Sequence, residues 1–166
     1  MQRKISEEYG RAALALMTAA RQEHYHSIIF CSLTGGEGTS STVLHVGRLL
    51  KQRLGLRPLL IELNRLRPAW GSQFGLDPAK SLAAVASGHV LARQCIQQDP
   101  SGLSMIPIGD YTWGDGQVQP LDTVLCRAIQ ELENDFDMIL LDGPPMQESA
   151  DALVAGLAVE RVPFPR

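Results

Sequence analysis

Hydrophobic residues follow two periodicities that alternate along this chain. Nearly continuous apolar runs of five or six residues, typical of strands buried inside a sheet, occur at residues 27–32, 58–63, 103–108 and 138–142. Between these runs, apolar residues recur every three or four positions, which predicts amphipathic helices. Strands that alternate with helices indicate an α/β fold, with a mostly parallel sheet and helices on both faces.

Local signals place the ends of the helices and the loops between them. Ser6 is a candidate cap for the opening helix, and Gly55 is expected to end the second one. Pro107 lacks a backbone donor, so we expect the strand that contains it to lie at the margin of the sheet. Residues 109–119 lack periodicity, which predicts an exposed loop. The predicted helices lie at residues 9–20, 43–54, 81–87, 91–97, 121–136 and 148–159.

Composition and length narrow the class of protein. A chain of 166 residues supports one domain over residues 1–166. No apolar run is long enough to span a bilayer, and the first residues lack the features of a secretory signal, so we expect a cytoplasmic protein. A net charge of −3 gives no general attraction to phosphate backbones, and we expect no nucleic-acid partner.

The candidate chemistry lies in residues 32–42, SLTGGEGTSST, where three glycines fall between a predicted strand and a predicted helix. Glycines allow the backbone to turn successive N–H groups inward, and the helix N-terminus adds partial positive charge. This pattern predicts a phosphate-binding loop, in which Ser40 or Ser41 can ligate Mg²⁺. The alternative is an ordinary strand-to-helix turn. The predicted nucleotide-binding residues here are Gly35, Gly36, Glu37, Gly38, Thr39, Ser40 and Ser41.

The loop lacks the lysine of the pattern G-x-x-x-x-G-K-S/T, because Thr39 occupies that position. A charge-assisted hydrogen bond to phosphate contributes about 1.5–3 kcal/mol, so its loss weakens binding by about 10- to 100-fold. Lys51 and Arg48 follow on the same predicted helix, about 18 and 13 Å along its axis, which is too far for either side chain to return. A replacement cation has to come from another loop or another subunit.

Two further strand ends carry charged residues. Arg65 and Arg67 follow the strand at 58–63, and the carboxyl ends of parallel strands meet at one edge of a sheet, so both can face bound phosphates. Their alternative is to be solvated loop arginines. Asp142 ends the strand at 138–142, where a carboxylate can hold Mg²⁺ through water or, alternatively, cap the next turn.

In this order, the three segments resemble those of the bacterial tyrosine autokinases of capsule and exopolysaccharide synthesis. These kinases belong to the deviant P-loop group, which also contains the partition and septum-site ATPases. The family motifs S-x-x-x-G-E-G-K-S/T, L-L-I-D-x-D-L-R-x-P and I-I-D-x-P-P correspond here to SLTGGEGTS, LLIELNRLRP and ILLDGPP. The resemblance covers about residues 7–158 and implies a P-loop NTPase-like three-layer sandwich with a C-terminus shorter than the family's. It also implies ATP or ADP with Mg²⁺ as cofactors.

The departures from these motifs bear on activity. By resemblance the catalytic set is Glu62, Asn64 and Asp142, with Ser40 and Asp142 as the metal ligands. Arg67, from its position after the second strand, is a further predicted nucleotide-binding residue. Glu62 and Asn64 replace two aspartates of the family, and Asn64 has lost a charge needed to activate a hydroxyl. We therefore expect catalysis to be impaired, and whether the chain is an enzyme stays open. The C-terminal tyrosine cluster that the kinases phosphorylate is also missing from this sequence.

The resemblance also implies partners. Glu8 and Arg11 match the helix motif E-x-x-R-x-x-R that assembles the kinases into rings, although Leu14 replaces its last arginine. This predicts a homo-oligomer, and a solvated Glu–Arg pair is the alternative. The second implied partner is a membrane-embedded regulator of polysaccharide chain length, which would bring the domain to the inner membrane.

Three functions are compatible with these observations. The leading hypothesis is a degenerate member of the kinase family with a regulatory or assembly role in polysaccharide synthesis or export and weak or no nucleotide binding. The second is an active tyrosine autokinase or ATPase that uses Arg67 in place of the lysine. The third is a pure protein-interaction module. A partition-type ATPase is disfavoured, because its early loop lysine would fall near Leu33 or Thr34, and neither is basic.

Overall fold

The structure, a computed structural model, describes residues 2–23, 25–110 and 119–161. Its strands are β1 (Ser27–Phe30), β2 (Pro58–Glu62), β3 (Gln97–Gln98), β4 (Ser104–Ile106) and β5 (Met138–Asp142). Its α-helices are α1 (Gln2–Glu23), α2 (Thr39–Leu54), α3 (Trp70–Phe74), α4 (Leu82–Ala86), α5 (Leu121–Leu132) and α6 (Asp151–Arg161), with a 3₁₀ turn at Ala92–Cys95. Over the described ranges, no helix is long and apolar enough to cross a membrane.

The strands form one sheet in the order β1-β5-β2-β4-β3. β1, β5, β2 and β4 run parallel, and β3 pairs antiparallel with β4. In this register Asp142 lies beside Phe30 on one side and beside Glu62 on the other. The carboxyl ends of β1, β5 and β2 therefore meet at one edge of the sheet, as the sequence predicted for parallel strands.

The two faces of the sheet each bury a separate hydrophobic core. Leu59 and Ile61 of β2 point into the core that contains the buried residues of α4, α5 and α6. Leu60, between them, points to the opposite core, which contains the buried residues of α1 and α2. This alternation is the two-residue period of a strand that is covered on both faces. The predicted α/β fold, with a mostly parallel sheet between helical layers, is confirmed.

Several predicted details of the strands and helices are wrong, each for a local reason. The run at 27–32 was expected to be buried on both faces, but β1 pairs only with β5 and its residues 28–30 are half-buried. β4 lies one strand inside the margin, because β3 covers its outer side, and Pro107 lies just after β4 rather than within it. The opening helix begins before Ser6, and Leu54, in the last turn of α2, is 45% exposed.

Other predictions concern short elements or residues outside the described ranges. Ser81 caps α4, as expected for a helix at 81–87, and the helix expected at 91–97 is a single 3₁₀ turn followed by β3. The helix α3 was not predicted. Most of the loop expected at 109–119 lies outside the described residues, as does the stretch from 162 onward.

Gly47 provides a test of the packing between α2 and the sheet. A Cβ added there would lie 2.8 Å from Cδ1 of Leu60, which is fully buried, whereas a Cβ added at Gly10 in α1 would meet nothing within 4 Å. In Gly47→Ala, overpacking that costs about 1–3 kcal/mol opposes a gain of about 1 kcal/mol in helix propensity, so we expect the free energy of unfolding to fall by up to about 2 kcal/mol. Gly10→Ala should raise it by about 1 kcal/mol through helix propensity. Denaturant unfolding measures both, and a stabilising Gly47→Ala would contradict this packing.

Candidate functional site

The glycine-rich segment between β1 and α2 has the backbone conformation that its sequence predicted. Gly36 and Gly38 have φ angles of 86° and 84°, in the left-handed region that glycine adopts without strain. Gly38 is the N-cap of α2 and supplies no side-chain acceptor to the first turn. The N-terminus of this 16-residue helix therefore offers its amides and its positive dipole end to an anion.

This segment lines an open cavity of about 280 Å³ at the carboxyl edge of the sheet. The cavity also contacts the turns that follow β2 and β5. All eight residues predicted to bind nucleotide line it, so the structure brings them together, while binding itself stays a prediction. The lining residues are Ser32, Gly35, Gly36, Glu37, Gly38, Thr39, Ser40, Ser41, Asn64, Arg67, Gly143 and Pro145.

Arg67 is the sole cationic side chain among the lining residues. The cations expected to lie too far along α2 are indeed engaged elsewhere. Arg48 forms an ion pair of 2.9 Å with Asp99, and the Lys51 ammonium donates a hydrogen bond to the carbonyl of Gly102. Thr39, at the position of the missing lysine, leaves Arg67 as the positive side chain available to phosphates in this cavity.

Arg67 is held over the loop by contacts from two segments. Its Nη2 lies 3.1 Å from Oε2 of Glu148, whose Oε1 accepts a hydrogen bond of 3.0 Å from the Gly35 amide. A Cβ on Gly35 would collide with Nη1 of Arg67, so this close approach requires glycine. The backbone N–H of Arg67 donates to Oδ1 of Asn64 at 3.2 Å. Asn64 thereby shapes the turn that presents the guanidinium.

Arg65, the other candidate for phosphate contact, does not line the cavity. Its Nε pairs instead with Oδ2 of the buried Asp151 at 2.6 Å, which ties the end of β2 to the start of α6. The expectation that both arginines face the loop is therefore correct for Arg67 and wrong for Arg65. Two partners that lie more than 80 residues further along the chain decide which arginine enters the cavity.

Glu37 contributes to the loop's shape through its carboxylate. Its Oε1 accepts a hydrogen bond of 2.7 Å from the Thr34 hydroxyl, and its Oε2 accepts one of 3.1 Å from the Leu33 amide. The bonds from Thr34 and then Leu33 lower the pKa of this exposed carboxyl. Glu37 thus stabilises the first turn of the loop.

Asp142 is a buried carboxylate without a hydrogen-bond partner on either oxygen among the described residues. Burial and then the neighbouring Glu62 raise its pKa to about 7, against the opposing influence of the nearby Ser40 side chain. An unpaired carboxylate in such a place is normally neutral or bound to a cation. Asp142 does not line the cavity itself, but its carboxylate lies near Ser40, which does, so a Mg²⁺ ion held by the Ser40 hydroxyl and, through water, by Asp142 fits these donors.

Glu62 was expected to lie among catalytic residues, but its carboxylate has a structural role in this fold. Oε1 accepts hydrogen bonds from the amides of Ala69 and Trp70 at 2.7 and 3.0 Å, and Oε2 accepts one from Ile108 at 3.2 Å. Only 1% of Glu62 is exposed, and it does not line the cavity. It fixes the N-terminus of α3 against the end of β4, a role that no local sequence signal indicates.

The sequence reasoning missed Glu148. The available signal was its position six residues after Asp142, beyond a strand whose end was expected to join the site. Gly143, in the third motif, also lies in this turn. A Cβ there would lie 2.9 Å from the carbonyl oxygen of Phe30 and 2.6 Å from Sγ of Cys31, so the end of β5 can approach β1 only with glycine at this position.

No protein-family model matches the chain. Among curated proteins, it is 24% identical over 155 residues to the tyrosine-protein kinase YwqD of Bacillus subtilis, covering 91% of this chain and 63% of the kinase. It is also 32% identical over 126 residues to a ParA family protein of Chlamydia muridarum, covering 69% of this chain and 48% of that protein. The chain thus spans about half to two thirds of the length of these two relatives.

Solved structures show the same fold at low sequence identity. The BceF tyrosine kinase domain superposes with a TM-score of 0.71 at 21% identity, covering 95% of this chain and 61% of that chain. The VpsO kinase domain gives a TM-score of 0.70 at 19% identity, with coverages of 95% and 78%. A cobyrinic acid a,c-diamide synthase of Mycobacterium smegmatis, solved with ADP and magnesium, gives 0.63 at 24% identity, with coverages of 80% and 56%.

The parallel sheet, the glycine loop and the helix that follows it define a P-loop NTPase-like α/β protein. Within that class the chain is related to the bacterial tyrosine kinases, and the resemblance predicted from its three motifs is confirmed. The similarity to a ParA family protein is consistent with the wider P-loop group to which both kinds of protein belong.

The raised pKa of Asp142 gives a test of its surroundings. The pKa is about 7 in the folded protein against 3.8 for an ordinary aspartate, so between these values the folded state keeps a proton that the unfolded state loses. The resulting stabilisation is complete below about pH 4 and is lost as the pH rises through 7. We expect Asp142→Asn to reduce the fall in unfolding free energy between about pH 5 and pH 8 by at most about 3 kcal/mol.

Denaturant titrations at the two pH values measure this difference. The exposed Asp110→Asn is the charge-matched control and should retain the pH dependence of the parent protein. An identical pH dependence in Asp142→Asn and the parent protein would show that Asp142 ionises like an exposed aspartate.

Proposed function

We propose that this chain is a catalytically degenerate relative of the exopolysaccharide tyrosine kinases, with a regulatory or assembly role in polysaccharide synthesis or export. It binds ATP or ADP with Mg²⁺ weakly and does not transfer the phosphoryl group efficiently. The observation that carries this proposal is the phosphate-loop cavity itself: its backbone shape is intact, its lysine is replaced by Thr39, and its one lining arginine is paired with Glu148.

The backbone supports weak nucleotide binding. The amides at the start of α2 receive the phosphates, because the left-handed Gly38 leaves them without a side-chain cap. Ser40 and Asp142 hold Mg²⁺, which would neutralise charge that develops on the phosphates. Without the lysine, the loop lacks the charge-assisted contact that normally contributes about 1.5–3 kcal/mol.

The side chains argue against efficient transfer. Activating a hydroxyl nucleophile requires a basic group within hydrogen-bond reach of the reacting centre. Among the lining residues, Glu37 is the sole carboxylate, and both of its oxygens already accept hydrogen bonds from Thr34 and Leu33. Asn64 has a neutral side chain, and the Glu62 carboxylate accepts three backbone hydrogen bonds outside the cavity. The lining residues can bind phosphates but include no free base, and the carboxylate of Asp142, unpaired among the described residues and outside the lining, is assigned to Mg²⁺.

The regulatory half of the proposal rests on the resemblance and on α1. Arg11 is exposed on this helix, as a contact with a second copy requires, while the side chain of Glu8 lies outside what the structure describes. The proposed partners are further copies of this chain and a membrane-embedded regulator of polysaccharide chain length. The domain would then act in the cytoplasm, at the inner membrane, as a single unit over its 166 residues.

Arg67 favours a second candidate, an active autokinase or ATPase. Its guanidinium lies beside Gly35, so it could supply the positive charge that Thr39 does not. This candidate requires Arg67 to leave Glu148 and a partner subunit or substrate to supply the missing base.

Calorimetric titration with Mg²⁺-ADP and Mg²⁺-ATP tests the binding half of the proposal. We expect Thr39→Lys to tighten nucleotide binding by about 10- to 100-fold, because it restores a charge-assisted bond to phosphate. Gln52→Lys adds the same charge at the exposed far end of α2 and should leave the affinity unchanged. If Thr39→Lys binds nucleotide no more tightly than the parent, the loop is not a phosphate site. That result would support the hypothesis of a pure protein-interaction module.

Radiolabelled ATP tests the transfer half. We expect the purified protein to show no robust autophosphorylation or ATP hydrolysis, even at concentrations that favour oligomers. Robust phosphoryl transfer that disappears in Arg67→Ala would contradict the degenerate-kinase proposal and support the active autokinase or ATPase.

A further inference from the structure

We propose that Glu148 is an internal competitor of phosphate, which occupies the loop's cationic side chain and one loop amide until an anion displaces it. The proposal rests on the proposed function, since it assumes that this cavity binds phosphates, and it names the residue that sets their affinity. Nothing in the three motifs points to Glu148, which follows the last of them.

Two contacts place Glu148 where a bound anion would lie. Oε2 is 3.1 Å from Nη2 of Arg67, and Oε1 accepts the amide hydrogen of Gly35 at 3.0 Å. The absence of a side chain at Gly35 allows both the guanidinium and the carboxylate to lie against the loop backbone. A carboxylate that bridges a loop amide and an arginine occupies the same two kinds of donor that hold a phosphate oxygen.

The negative charge of Glu148 determines whether this residue weakens or strengthens phosphate binding. While Glu148 is paired, Arg67 contributes no net positive charge to the cavity, and a phosphate that approaches Gly35 meets a carboxylate at short range. The pair lies near the surface, with the side chain of Arg67 62% exposed and that of Glu148 33% exposed. Exposed pairs of this kind open easily, so phosphate can displace the carboxylate at modest cost.

A positioning role for Glu148 predicts the opposite result. If the carboxylate held Arg67 in the geometry that phosphate needs, removing its charge would release the arginine and weaken binding. The two roles differ in the sign of one measurement. An increase in affinity is also an outcome that structural damage to the loop would not produce.

The experiment uses inorganic pyrophosphate without Mg²⁺, so that the anion site is measured apart from Ser40 and Asp142. Titrations at low ionic strength compare the parent chain, Glu148→Gln, Arg67→Ala and the double variant. Glutamine keeps an acceptor for the Gly35 amide and loses the charge. The matched control is Glu131→Gln, whose carboxylate likewise accepts from an arginine, Arg93, and from two backbone amides, but on α5 outside the cavity.

We expect Glu148→Gln to bind pyrophosphate about 3- to 30-fold more tightly than the parent, from the released arginine and the removed repulsion. Arg67→Ala should bind more weakly than the parent, and the double variant should lose most of the gain. Glu131→Gln should match the parent. Unchanged or weaker binding by Glu148→Gln, in a variant whose thermal unfolding shows it to be folded, would overturn the proposal.

The same variants titrated with Mg²⁺-ADP separate this inference from the proposed function. If the parent binds Mg²⁺-ADP and Glu148→Gln gains nothing with either ligand, the competitor role is wrong and nucleotide binding remains. If Glu148→Gln gains affinity for pyrophosphate while no variant binds Mg²⁺-ADP, the competitor role is right and the nucleotide assignment is lost.

Discussion

Two neighbouring carboxylates with opposite surroundings organise this end of the sheet. Glu62 and Asp142 lie side by side on β2 and β5, both out of contact with water. Glu62 accepts three backbone hydrogen bonds and so fixes α3 and the end of β4, whereas Asp142 accepts none from the described residues. Hydrogen bonds stabilise the charge of Glu62, so the unfavourable electrostatics of the pair affect mainly Asp142. Asp142 lies beside the phosphate loop.

The cavity next to this pair contains both positive and negative groups, so it is not strongly positive. The amides at the start of α2 and the guanidinium of Arg67 attract anions. The Glu148 carboxylate weakens that attraction, because it pairs with Arg67 and with a loop amide. The backbone of a phosphate site is thereby retained, and its attraction for anions is reduced. This arrangement suits a domain whose response to nucleotide is set by a few displaceable contacts rather than by a fixed lysine.

Features encoded locally in the sequence could be predicted, and features that depend on distant contacts could not. The buried strands, the glycine loop and the end of α2 at Gly55 follow from apolar runs and backbone conformation, which are local properties. Glu62 could not be assigned from its motif, because its partners come from α3 and from the residue after Pro107. Arg65 and Arg67 have the same chemistry, and only their distant partners, Asp151 and Glu148, separate them.

Two of the three cations in the second half of α2 connect that helix to another part of the fold. Arg48 and Lys51 fasten it to Asp99 and Gly102 in the turn before β4, at the end remote from the glycines. Val43, Val46 and Leu50 pack the same helix against the sheet along its length, so these polar contacts add to that packing at the end remote from the site. Displacements caused by an arriving anion should therefore be confined to the loop and to the residues of α2 that precede Val43, and the β3–β4 hairpin would remain still.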